Sequence, residues 1–98
     1  MKSLNEIKQI LASRKKELRD KYHVRSLGLF GSYTRGDQKE NSDLDILVEF
    51  DQPVGFEVVD LYEFLKALLG MKVDLVTRGA VKRNPDLLRS IEEDLVLV

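Results

Sequence analysis

Apolar positions recur along this chain with two different periods, and the changes between them mark out its elements. Leu4, Ile7, Leu11 and Leu18 fall at helical spacing with lysine and arginine between them, which predicts an amphipathic helix over residues 4 to about 21. Ser3-Leu4-Asn5-Glu6 opens it as a capping box, in which the Ser3 hydroxyl takes the N–H three residues on and Glu6 reaches back. Val24 to Phe30 then reads as a first strand, entered through the polar Lys21-Tyr22-His23 corner. His23 fits a turn or surface residue there. Gly31-Ser32 closes the strand, Tyr33-Thr34-Arg35 suits a short helical turn, and Asp37 to Ser42 is loop-like.

Leu44 to Phe50 predicts a second strand, with Leu44, Ile46 and Val48 on the face opposite the aspartates Asp43 and Asp45. Phe56 to Leu69 follows as a helix, apolar at Val58, Val59, Tyr62, Leu65 and Leu69, with Gly70 where a left-handed residue ends it. Lys72 to Val76 is a third strand: Val73 and Leu75 share one face, Asp74 and Val76 the other. Asn84-Pro85 starts a last helix through Leu87, Leu88 and Ile91, with Asn as N-cap and Pro at the first helical position. Leu95 to Val98 reads as a final strand. The order α-β-β-α-β-α-β implies an α+β (mixed α/β) fold, a small mixed sheet flanked by helices. The connection between the second and third strands, about 20 residues with one helix, permits a right-handed parallel crossover.

With 98 residues the chain suits one domain over 1–98, and 43% hydrophobic with 34% charged residues describes a globular protein. The net charge of −1 selects no partner, but its distribution is uneven. Residues 1–25 hold eight Lys or Arg against three Asp or Glu, and residues 36–65 hold nine acidic residues against Lys39 alone. A basic first helix and an acidic middle suit a cation site and an electrostatic partner surface, as they also suit solvated faces. No direct nucleic-acid binding is expected. Cysteine is absent, which excludes disulfides and thiolate metal ligation and fits a reducing cytoplasm. No apolar run approaches the roughly 20 residues of a membrane span, and no signal-peptide core opens the chain. The expectation is a cytoplasmic protein without membrane contact.

The chemistry gathers in residues 27–50. Asp43 and Asp45 lie two apart, so in a strand they project together and repel each other. Asp74 can share their sheet face, and Lys72 is the one basic residue within either strand. Three oxygen donors without Cys or His suit Mg²⁺ or Mn²⁺ rather than zinc, and a hard cation on few carboxylates is completed by water and substrate phosphates. Gly31 permits close approach of a phosphate, and the Ser32 N–H and hydroxyl can donate to it.

Gly31-Ser32, ten intervening residues and Asp43-Leu44-Asp45 resemble the signature of the DNA polymerase β-type nucleotidyltransferase superfamily. Arg35-Gly36, Ser42 and the Val73-Asp74-Leu75-Val76 strand are similar to its minimal nucleotidyltransferase branch, across essentially the whole chain. The resemblance implies that Asp43 and Asp45 bind two Mg²⁺ ions bridging the triphosphate. Asp74 would complete the catalytic shell and help deprotonate the acceptor hydroxyl, and Gly31 and Ser32 would hold the β- and γ-phosphates. Arg35 would neutralise phosphate charge, or else pair with Asp37 or nearby carbonyls. ATP would be the donor and a nucleoside monophosphate the group transferred.

Larger superfamily members carry a helical domain that shapes the nucleotide pocket or binds the acceptor, and this sequence shows none. The chain thus looks like the antitoxin of a toxin–antitoxin pair, which binds a helical HEPN ribonuclease toxin and AMPylates a tyrosine on it. Either Arg14, Lys15, Lys16 and Arg19 or Arg78, Lys82 and Arg83 would meet that partner, unless they are solvated faces. Three other readings stand beside this one: occlusion of the toxin by a vestigial site, transfer to a small molecule by a homo-oligomer, and aspartates that bind nothing.

Overall fold

A four-stranded sheet in the order β3-β2-β1-β4 carries the chain. The computed structural model describes residues 2–98. Its strands are β1 (Val24–Phe30), β2 (Leu44–Phe50), β3 (Val73–Thr77) and β4 (Val96–Leu97). Its helices are α1 (Leu4–Ala12), α2 (Lys15–Tyr22), α3 (Ser32–Arg35), α4 (Glu57–Leu69), α5 (Arg78–Val81) and α6 (Pro85–Asp94). β1 runs antiparallel to both β2 and β4, and β2 runs parallel to β3 through the α4 crossover. The expected mixed sheet is present.

The first helix differs from expectation, because the apolar period continues while the backbone ladder does not. The Ser13 hydroxyl donates to the Ile10 carbonyl at 2.6 Å, and the Arg14 N–H turns to Leu11 at 3.1 Å, three residues back instead of four. A side chain that takes a backbone acceptor interrupts a helix in this way, so one predicted helix becomes α1 and α2. The capping box at Ser3 and Glu6 forms as expected, at 3.1 and 3.3 Å. His23 ends α2 in the left-handed conformation, φ 60°, as a turn residue.

Two apolar layers cover the sheet. Leu29, Leu44, Ile46 and Val48 are buried against Ile7 and Leu11 of α1, Leu18 and Tyr22 of α2, and Leu61, Leu65 and Leu69 of α4. On the other face Leu47 packs with Val81 of α5 and Ile91 of α6. Both faces of β2 are therefore apolar except at Asp45 and Glu49. The α4 stripe also corrects the sequence reading. Leu61 is fully buried, whereas Val59 is 57% exposed and Phe56, just outside the helix, is 87% exposed. Helical spacing back from Leu69 and Leu65 selects Leu61.

Further boundaries differ at β3 and β4. β3 begins at Val73 and runs to Thr77, whose hydroxyl accepts from the Ala80 N–H at 3.2 Å and starts the unanticipated α5. α6 starts as predicted, with the Asn84 side chain accepting from Leu87. β4 is two residues long, because Leu95 turns into the second apolar layer. Among the described residues no helix is long and apolar enough to cross a membrane. The stripe assignment predicts that Leu61→Ala lowers unfolding free energy by about 2–5 kcal/mol while Val59→Ala changes it by under about 0.5 kcal/mol, measured by urea denaturation.

Candidate active site

The end of β1 decides the shape of the site. Phe30 is the register partner of Asp45 on β2, and the chain leaves the strand at once through Gly31. Gly31 has φ 82° and ψ −150°, and a Cβ there would collide with the Asp45 carboxyl group. Glycine is required on both counts. Its carbonyl accepts from the Thr34 hydroxyl at 2.9 Å and from the Thr34 and Arg35 N–H groups at 3.1 Å. α3 is so folded back beside β2, with Tyr33 buried as its anchor. Ser32, the first residue of α3, stands next to the turn that packs on Asp45.

Asp43 enters β2 from a loop closed on itself: Ser42 accepts from the Lys39 N–H at 2.8 Å and donates its own N–H to the Lys39 carbonyl at 3.0 Å. The Leu44 N–H donates to the Lys72 carbonyl at 3.0 Å, which ties the start of β2 to β3. The register then places Asp45 beside Asp74. Asp43 and Asp74 are exposed at the strand mouths, and Asp45 is half-buried between them and Gly31.

Burial pushes the Asp45 carboxyl up from 3.8 to about 6, and the charges of Asp74 and then Asp43 add to it. A side-chain hydrogen bond to Asp74 acts in the same direction, while the Arg35 guanidinium opposes the shift. Arg35 pairs with Asp94 at 2.8 Å and with Asp37 at 3.2 Å, and both hydrogen bonds raise its pKa, Asp94 foremost. The Asp37 pairing is one of the sequence alternatives. Asp94 was not anticipated, since it lies 59 residues away at the end of α6 and no local pattern connects the two.

The donor set is all oxygen and suits a hard cation. His23 stands at the opposite end of β1 from this cluster. Among the described residues, however, no three His, Cys, Asp or Glu side chains are already gathered into a group that could hold a metal ion. The expected convergence of Asp43, Asp45 and Asp74 is thus one of backbone register, with two of the carboxylates turned to solvent as mutual repulsion favours. Beside the start of β2 opens a cavity of about 810 Å³, lined by Tyr33, Ser42, Met71 and Lys72 among others. Of the basic clusters, Arg14 and Arg19 are engaged by Glu17 and Asp20 at 2.8 and 3.3 Å.

Residues 6–98 match the family model described as a nucleotidyltransferase domain. The chain belongs to this nucleotidyltransferase family. A protein of Methanocaldococcus jannaschii, named provisionally as a protein adenylyltransferase, is 54% identical over 101 residues that span all of both chains. The protein adenylyltransferase MntA of Thermococcus cleftensis is 51% identical over 83 residues, 84% of each chain. A solved structure described provisionally as a minimal nucleotidyltransferase shares the fold with a TM-score of 0.73 at 28% identity, covering 92% of this chain and 93% of that one. A toxin–antitoxin structure solved with AMP-PNP is 31% identical, with a TM-score of 0.54 over 66% of this chain and 55% of its own. The element order and four-stranded sheet are those of a minimal nucleotidyltransferase.

The Asp45 shift has a stability consequence. With a folded pKa above the unfolded one, the fold holds this proton more tightly, so the contribution is present below about pH 4 and is lost as pH rises through about 6. In chelator, Asp45→Asn should raise the melting temperature near pH 8 and leave it nearly unchanged near pH 4, read by thermal scans across pH.

Proposed function

We propose that this nucleotidyltransferase moves AMP from ATP to a hydroxyl group of a partner protein, and that the partner is the toxin which this chain restrains. One observation carries the reading: Asp45 sits in register with Asp74, two residues after Asp43, under a Gly31-Ser32 turn that packs on its carboxyl group. The names of the protein adenylyltransferase relatives and the toxin–antitoxin structure with AMP-PNP support it.

In this reading Asp43, Asp45 and Asp74 would hold two Mg²⁺ ions, which when bound would supply charge neutralisation for the triphosphate and for the entering and leaving oxygens. Gly31 lets the phosphates approach the backbone, and Ser32 donates to their oxygens. Arg35, held by Asp37 and Asp94 and near enough to Asp45 to oppose its pKa shift, offers a fixed positive charge to the triphosphate. Asp74 orients the acceptor hydroxyl and accepts its proton. The oxygen bonds to the α-phosphorus and pyrophosphate departs. The acceptor is a tyrosine and the toxin a helical HEPN ribonuclease, as the sequence resemblance implies. ATP supply places the reaction in the cytoplasm.

The exposure of Asp43 and Asp74 to solvent motivates a second reading, in which the chain restrains its partner by occlusion alone. Calorimetric titration with Mg²⁺-ATP separates the two, since saturable binding is expected of the enzyme and no heat of the occluder. The enzyme reading further predicts that the Asp43→Ala, Asp45→Ala double variant keeps its far-UV circular dichroism and loses Mg²⁺-dependent AMP transfer to the partner by about a thousandfold or more. Undiminished transfer by that variant would contradict the assignment.

A further inference from the structure

The sheet ends in two edge strands, and β3 is the one that carries a carboxylate of the site. Successive residues of a strand turn their backbone N–H and C=O groups to opposite sides. The Lys72 carbonyl accepts from Leu44 of β2. By alternation Asp74 and Val76 also face β2, while Val73 and Leu75 present their backbone groups to the outer edge. No strand pairs with that edge among the described residues.

Both ends of this edge open into cavities. The one at its start, about 600 Å³, is lined by Asp43, Tyr62, Lys66, Lys72 and Val73. The one past its end, about 380 Å³, is lined by Val58, Thr77, Arg78 and Lys82, among others. Val58, Tyr62 and Lys66 follow one another every four residues on α4, so a single helix stripe walls both cavities. Lys66 lies over the Tyr62 ring, 5.1 Å from its centre. Lys72, Arg78 and Lys82 form no ion pair among the described residues. Basic side chains outnumber acidic ones in both cavities, with Asp43 the acidic member of the first and Glu49 of the second.

We propose that the acceptor enters as an extended polypeptide segment, acidic toward its ends, which adds to the sheet along β3 and sets its hydroxyl side chain beside Asp74. This rests on the AMP-transfer reading and deepens it. An unpaired edge is a template for an added strand, where main-chain hydrogen bonds give affinity and alternate side chains give specificity. A residue directly across from Asp74 projects to the same face of the sheet, with Cβ atoms about 4.5–5.5 Å apart. Asp45 lies on that face as the next register partner inward. Strand addition therefore places the acceptor side chain on the sheet face that carries Asp74 and Asp45, where its hydroxyl gives up a proton as its oxygen bonds to the α-phosphorus and the bond to pyrophosphate breaks. The α4 stripe and the flanking cations select an extended acidic segment over a helix or a small molecule.

The test titrates the isotopically labelled protein with a short synthetic peptide of alternating threonine and valine, with a central tyrosine and acidic ends. A second peptide carries N-methyl groups on the backbone amides that would face β3. The first peptide should shift and protect the Val73 and Leu75 amides far more than those of Asp74 and Val76. It should also bind at least about tenfold more tightly than the N-methylated one. Leu75→Pro removes one outward N–H together with the Leu75 contact to the core, so, in protein that keeps its far-UV circular dichroism and its Mg²⁺-ATP binding, it should weaken peptide binding by a similar factor. Equal binding of both peptides, no response at the β3 amides, or protection of Val73 and Leu75 by self-association instead would overturn the inference. Edge binding without AMP transfer to the peptide tyrosine would sustain the docking inference and count against the transfer reading.

Discussion

Two carboxylates in register on neighbouring parallel strands are the constraint around which this molecule is arranged. Asp45 and Asp74 repel each other, and Asp45 is also half-buried beneath the Gly31 turn. Left alone, such an arrangement costs free energy, and the raised Asp45 pKa is its signature. The apolar layers hold it in place. Leu44, Ile46 and Val48 clamp β2 to α1, α2 and α4 on one face, while Leu47 packs against α5 and α6 on the other. Repulsion between the aspartates cannot part the strands without opening both layers. A bound cation and a triphosphate convert the same repulsion into affinity.

The turn and the carboxylate also depend on each other. Gly31 has no Cβ to spare, because the space belongs to Asp45, and the left-handed turn lets α3 fold back at once. Arg35 then closes the unit by reaching Asp94 at the far end of the chain. The short α3 is therefore held by one buried tyrosine, one hydroxyl on the Gly31 carbonyl and one long-range ion pair.

Much of this was legible from residue order because the informative contacts are local. The limits of β2 are legible in the sequence, since Leu44, Ile46 and Val48 alternate with Asp43 and Asp45 onto opposite faces. The α6 start and the Ser3 capping box were equally clear, as caps are short-range chemistry. What escaped needed tertiary information. Ser13 breaks the first helix with a side-chain bond that the apolar period does not register. Val59 looked like core until Leu61 was seen to lie on the Leu65 and Leu69 stripe. Same-face arguments brought Asp45 and Asp74 together, but only strand pairing makes them register partners and leaves β3 at an edge. The Arg35 and Asp94 pair spans too much sequence to be read locally.

The central claim concerns which part of the nucleotide moves. Incubating the protein with Mg²⁺, its toxin partner and ATP labelled at either the α- or the γ-phosphate tests it most directly. The account predicts that α-label becomes covalently attached to the partner while γ-label leaves as pyrophosphate. Attachment of γ-label, or of neither label under conditions where both proteins are folded and associated, would contradict it.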